Sequence, residues 1–394
     1  MTALGACIFG GAFSFGVERA GFKVAGHFEL KDLALGAATS RQRWPVHVSD
    51  YDGWMAAAAW LRADGHVPHL VYANPPCVAY AGTGKHMGTA DERMCFTRYC
   101  SYGLAFALKP TTWVWELVPG ILTKELGFLQ AMAYRASREG YRCWAFLTSS
   151  ALHGGFQDRR RFHFVASKFD LQWEPVFNTE PPLRSGVRML SDALEVVAKA
   201  DTSLSNNEPA YKGAFKDIMP FCPPGSHLGD LPDEVLRNHY RPRGMAWTGT
   251  GRPGFAHTRG RMDRPSPNVM GGHTIIHPIE DRYLSPRACA TIQGFPLDYK
   301  FSPGTTAYAE IGKGLCTHNA EFVARVIRIG IEVGEPVKPD GLLHVVDWRN
   351  RAPSLKLSMP VDDQRAWFAA KHPNEPVPKL LGGRRHKYQI EEMA

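Results

Sequence analysis

The run LVYANPPC, residues 70–77, reads as a strand that stops abruptly before a cysteine. Leu70, Val71, Tyr72 and Ala73 are apolar and suited to a buried strand, and Pro75 and Pro76 end it, because each fixes φ and removes a backbone donor. Cys77 is then held on a loop at the carboxyl edge of a sheet, where α/β folds bind their ligands. Two readings are open here: a presented nucleophile, or a buried thiol behind an ordinary turn.

Two further segments bear on that choice. WVWELVPG, residues 113–120, is a second apolar strand that delivers one carboxylate, Glu116, before a Pro-Gly stop. FQDRRRFHFV, residues 156–165, puts Arg159, Arg160 and Arg161 at the mouth of a third. A nucleophile, an acid and a basic cluster thus share one edge. In this order the segments resemble the DNA cytosine-5 methyltransferase family of bacterial and phage type, whose motifs are a Pro-Cys loop, Glu-Asn-Val, Gln-x-Arg-x-Arg and a late Gly-Asn block. The similarity covers residues 3–330.

Short apolar runs at 4–9, 24–29, 69–73, 112–116, 144–147 and 162–166 read as strands, and 91–108 and 124–139 as helices. Their alternation predicts an α/β fold with a mostly parallel sheet and helices on both faces. The resemblance makes this a Rossmann-like, S-adenosylmethionine-dependent fold with a smaller loop-rich target-recognition domain. Residues 1–167 form the first part of the catalytic, cofactor-binding domain, and 168–276, rich in Pro, Gly, Asn and Arg, the recognition domain. Residues 277–335 return to the catalytic domain, with one helix over 311–331, and 336–394 are an extension with no family counterpart. Its basic end, 382–388, reads as a solvated tail or a contact to the DNA backbone.

A chain of 394 residues with 44% hydrophobic content has room for two domains and is not disordered. The net charge of +8 favours a polyanionic partner. Eight scattered cysteines, without a CxxC pair or a compact Cys/His array, indicate neither a metal site nor a disulfide framework. No apolar run reaches the length of a membrane span, and residues 3–15 are Gly-rich without a basic start, which fits a first strand and ligand loop better than a signal peptide. The expectation is a monomer in the cytoplasm of a bacterium or phage-infected cell, off the membrane and on double-stranded DNA.

The first strand leads into FGGAFSFG, residues 9–16, and then a helix, the arrangement in which glycines let a nucleotide cofactor approach the backbone, or a tight turn with no ligand. Phe9, Gly10, Gly11 and Phe13 are the candidate contacts, with Pro75 from the cysteine loop. Glu29 ends the next strand at the spacing of a ribose-binding acid, and Asp50 resembles the family's adenine-contacting Asp; either could instead cap a helix. Aligned on Gly16, the family's Phe-x-Gly-x-Gly falls on Cys7, Phe9 and Gly11, so an aromatic residue and one glycine are displaced.

The resemblance implies that Cys77, as thiolate, adds to carbon 6 of a flipped cytosine while Glu116 grips the N3 edge. Arg159 and Arg161 would hold O2 and a phosphate, and their field would lower the thiol pKa. Pro76 and Gln157 are expected near the base, and Arg241, Arg243, Arg252, Arg259, Arg261 and Arg264, with Trp247 and Phe255, near DNA or on a solvated surface. Asn74 and the loop 79–85, with hinges at Gly82 and Gly84, read as supporting and lid elements. Two positions depart from the family: Leu117 replaces the Asn of Glu-Asn-Val, and Lys313 the Asn of the late block. Lys313 raises the alternative of a carboxylated donor, carboxy-S-adenosylmethionine, and carboxymethyl transfer. An RNA cytosine-5 methyltransferase and a catalytically silent DNA-binding relative are the other rivals.

Overall fold

The computed structural model describes residues 1–29, 46–48, 51–77, 80, 103–171, 187–200, 215–254, 256–346 and 361–374. Asp50, Phe255, the loop 79–85 apart from Tyr80, most of the expected helix 91–108 and the tail 382–388 lie outside them. The six apolar runs fall in strands β1 (Thr2–Ala6), β2 (Lys23–Phe28), β4 (Leu70–Ala73), β5 (Thr112–Leu117), β6 (Arg142–Ser149) and β7 (Arg160–Ser167), and β3 (Val46–Val48) is a further strand between β2 and β4 in the chain. Two short strands follow, β8 (Thr258–Arg259) and β9 (Ile275–Ile276), and then β10 (Leu343–Val346).

The main sheet runs β3-β2-β1-β4-β5-β7-β6-β10. It is parallel except at β7, which lies antiparallel between β5 and β6. Every residue of β4 and β5 is buried, as both-face coverage by helices requires. One core contains the helix Ala12–Arg19 and the helix Thr317–Val333; the other lies under the helices Tyr51–Ala63 and Leu126–Ser137. The first pair is close: a Cβ on Gly16 would sit 2.4 Å from that of Ala320.

From β1 the chain moves outward to β2 and β3, then crosses to β4 on β1's other side. The carboxyl ends of β1 and β4 therefore flank the crevice in which this class of sheet binds ligands. Reversal of β7 has a second effect. Residues that precede and open it, Gln157 to Arg161, reach the same rim as residues that follow β4 and β5, because its amino end lies beside their carboxyl ends.

Three sequence expectations change. The helix expected over 311–331 is two, Thr306–Lys313 and Thr317–Val333, with extended backbone at Gly314 between them. The recognition segment is not a body apart: Leu190 and Ala193 belong to the large core. Its own small core passes residue 276 to include Tyr283, and takes in Phe368 of the helix Val361–Lys371. The extension beyond 336 is thus built into the fold at two places, because β10 also pairs with β6. Among the described residues no helix is long and apolar enough to cross a membrane.

Candidate active site

The site begins where β4 stops. The Asn74 backbone N–H still donates to Ala6 at 3.1 Å, one step beyond the β1/β4 ladder. Pro75 is buried and Pro76 and Cys77 half-buried, so the thiol is neither exposed nor sealed off. Burial pushes the Cys77 thiol up; Arg161 and, more weakly, Arg159 pull it down, and Glu116 adds to the rise. The arginine field acts as the sequence predicted, but the net direction is the opposite, since desolvation outweighs it.

Glu116, the penultimate residue of β5, is 2% exposed. Its Oε1 accepts a hydrogen bond from Nδ2 of Asn74, and its Oε2 lies 3.4 Å from Nε of Arg161. Burial raises its pKa, with Arg161 and then Arg159 opposing. Opposite charge stands against it because β7 pairs Glu116 with His163, two residues from Arg161. Thiol, carboxylate and guanidinium thus share one electrostatic neighbourhood.

Arg159 and Gln157 are put to a different use from the one expected. The Arg159 guanidinium donates to the carbonyls of Val269 (2.6 Å), Gly312 (2.9 Å) and Gly314 (2.7 Å). Gln157 Nε2 donates to Oε1 of Gln293 at 2.7 Å, and its own Oε1 accepts from the Val269 amide at 3.0 Å. Both are buried and bond to the chain itself, with Nε of Arg159 left without a partner among the described residues. They are corrected from base or DNA contacts to clasps that hold the returning segments against β7, with Arg159 near enough to act on Cys77 through its charge. Asn319 completes the clasp by donating to Oγ1 of Thr148 at 2.7 Å and to the carbonyl of Arg159 at 3.2 Å. Gln293, Thr148 and Asn319 carry no single-sequence signal that would have singled them out.

At the cofactor end, the loop after β1 is bent through left-handed backbone at Cys7 (φ 52°), Phe9 (φ 51°) and Gly11 (φ 87°). Oε2 of Glu29 accepts from the amides of Ile8 (2.7 Å) and Phe9 (3.2 Å), so Glu29 shapes this loop from beneath. A Cβ on Gly10 would meet the carbonyl oxygen of Glu310 at 2.4 Å, and the Gly10 carbonyl accepts from the Tyr299 hydroxyl at 2.7 Å. Phe13 departs from expectation: it is 1% exposed and packs on Tyr72 at 4.9 Å, a core residue in place of a ligand contact. Lys313 is exposed at the end of its helix. Gly314 faces Ala12 and Asn74, where a Cβ would lie 3.5 Å from the Cβ of Ala12 and 3.9 Å from Oδ1 of Asn74. Beside Gly314 lies one buried amide oxygen, Oδ1 of Asn74, with no hydrogen-bond partner among the described residues. An unpaired acceptor there fits a group with a cationic centre.

The arginines of the small region divide. Arg259, expected on DNA, is fully buried and is corrected to a structural residue: it donates to the carbonyls of Met219, Cys222, His277 and Glu280 and pairs with Asp281 at 2.6 Å. Its β8 position inside the small core leaves no face for a phosphate. Arg252 likewise bonds the carbonyls of Gly229 and Leu231, and Asp233. Arg241 caps the helix Asp233–His239 through the carbonyls of Arg237 and Asn238. Arg243 is exposed on left-handed backbone, and Arg261 pairs with the exposed Asp263 at 2.7 Å.

Residues 8–328 match the family described as C-5 cytosine-specific DNA methylase. A Type II methyltransferase of Staphylococcus aureus, M.Sau96I, is 28% identical over 327 residues, spanning 80% of this chain and 73% of that protein. M.Eco47II of Escherichia coli is 27% identical over 322 residues, 77% of this chain and 73% of that protein. Among solved structures, a candidate DNA modification methyltransferase encoded within an Escherichia coli prophage superposes with a TM-score of 0.60 at 19% identity, covering 84% of this chain and 99% of the other. The Dnmt2 methyltransferase of Schizosaccharomyces pombe superposes with a TM-score of 0.52 at 14% identity, covering 84% and 98%. At such identities the two structural likenesses bear on the fold alone.

Proposed function

The chain belongs to the C-5 cytosine-specific DNA methylase family, and from that premise we propose that it methylates carbon 5 of a cytosine flipped out of double-stranded DNA, through a transient bond from Cys77 to carbon 6. The observation that carries this reading is the Glu116 carboxylate, held between Asn74 and Arg161 in the field that also acts on the half-buried Cys77. Carbon 5 of an aromatic pyrimidine is a weak nucleophile, and addition of sulfur at carbon 6 turns the ring into an enamine. Glu116, with a raised pKa, is suited to share a proton with ring N3 as negative charge develops there. Arg161, the guanidinium with exposure left, serves O2; Arg159 stays in its clasp.

A bound S-adenosylmethionine supplies the electrophilic methyl group. The residues that would hold it are Phe9, Gly10 and Gly11 of the loop after β1, Glu29 beneath that loop, Pro75 and Gly314. Flipping the base costs a few kcal/mol of unstacking, which phosphate contacts from Arg243 and Arg261 help to offset.

The test is incubation of the protein with duplex DNA and S-adenosylmethionine, followed by mass analysis of the nucleosides. 5-Methylcytosine is expected with the wild type and none with Cys77→Ala. A duplex carrying 5-fluorocytosine, which has no carbon-5 proton to lose, should become covalently attached to the wild type alone. Methylation that survives Cys77→Ala would sink the mechanism. A preference for RNA in competition would move the substrate, and a carboxymethyl product from carboxy-S-adenosylmethionine would move the donor to the reading raised by Lys313.

A further inference from the structure

We propose that Asn74 is a two-sided positioning residue: its amide nitrogen orients Glu116 toward the base, and its amide oxygen accepts the positively polarised head of the sulfonium donor. The inference rests on the function proposed above. Asn74 is 2% exposed and joins three parts of the site. Its backbone extends β4 against β1, whose following loop is the cofactor loop, and its side chain reaches β5 at Glu116. Its Oδ1 lies toward Gly314, in the last of the returning segments.

The direction of the amide follows from chemistry. An ionised carboxylate only accepts, so the NH₂ group must face Glu116 and the carbonyl must face the other way. That carbonyl is buried without a partner among the described residues, and a buried acceptor left unpaired is costly. It lies beside Gly314, which packs against Ala12, at the carboxyl ends of β1 and β4, where the donor is expected. A group bearing positive charge is the complement it lacks. Asn74 also stands in for something missing: Leu117, apolar and fully buried, provides no amide next to Glu116.

The experiment combines two variants and two readouts. Asn74→Leu keeps the volume and removes both polar atoms; Asn74→Asp keeps an acceptor and removes the donor to Glu116. By calorimetry, Asn74→Leu should bind S-adenosylmethionine about tenfold or more weakly, the scale of one lost polar contact to a charged group. It should bind the uncharged S-adenosylhomocysteine with a smaller loss. Asn74→Asp should keep its affinity for S-adenosylmethionine yet lose turnover. Removing the N–H disfavours the ionised carboxylate, so any limb of the rate–pH profile set by Glu116 moves to higher pH in Asn74→Leu.

Equal weakening for both ligands, or an unmoved pH limb, overturns the proposal, as does loss of donor binding in Asn74→Asp. Should Asn74→Leu fail to fold, Asn74→Asp decides by the last criterion. A wild type that neither binds S-adenosylmethionine nor modifies cytosine would instead remove the proposed function.

Discussion

Three consecutive arginines show how far single residues are legible. Nothing in Arg159-Arg160-Arg161 tells them apart as a string. In the fold, Arg159 turns inward to three carbonyls, Arg160 is exposed and Arg161 meets Glu116. Cys77 and Glu116 were readable because Cys77 follows an apolar strand and Glu116 lies near the end of one, each close to a Pro stop, and that signal is local. The occupations of Gln157, Arg159, Phe13 and Arg259 were not, since their partners lie far away in the chain. At this scale Glu116→Gln has three expected effects. Turnover falls by about 10²-fold or more, the range for a lost acid–base group. Cys77 alkylates faster, because an anion that raised its pKa is gone. The fold gains stability, and the sign can be worked out. The carboxyl pKa is raised above 4.5 in the folded state, so its favourable contribution is present below 4.5 and lost as pH rises through the folded value. The gain over wild type should therefore grow with pH, measured by denaturant titration at several pH values.

Among the elements, strands with both faces buried were the easiest to read and elements at the margins the hardest. β10 is four residues on a sheet edge with one buried position, and the helix Val361–Lys371 buries few of its residues, so neither shows a period. The break at Gly314 was hidden for another reason. Apolar positions continue across it, and the interruption is stabilised by Arg159, which takes the carbonyls of Gly312 and Gly314. Gly312 is also pressed on Met270, where a Cβ would come within 2.0 Å of the carbonyl oxygen. Gly312→Ala is expected to destabilise by about 1–3 kcal/mol, as overpacking does. It should lower turnover as well, by disturbing the Arg159 clasp. Thermal melting and initial rates check the two effects, and an unchanged melt would refute the contact.

For the molecule as a whole, acid is the expected weakness. His153 and His163 are buried, and burial lowers each pKa from 6.5 to about 3. His153 stacks on Phe322 at 3.9 Å, and Nε2 of His163 lies 3.0 Å from Oγ1 of Thr148 in the network that ends on Asn319. A depressed histidine pKa means that the unfolded chain takes up protons first. Stability is therefore intact above 6.5 and is lost as pH falls from 6.5 toward about 3. Urea midpoints should decline through that window, and His153→Phe, which keeps a ring against Phe322, should make the decline shallower.

The hairpin joining β6 to β7 also acts as a gauge for the chemistry. Residues 150–159 set the register in which Thr148 faces Arg161 across the strands, and side chains in a sheet alternate between its faces. Inserting a single amino acid there and sliding β7 by one place would leave the ladder of backbone bonds complete. Arg160 would then stand where Arg161 stood, and Arg161 would take the place of the fully buried Phe162, so a slide that keeps the backbone bonds would drive a charge into the core.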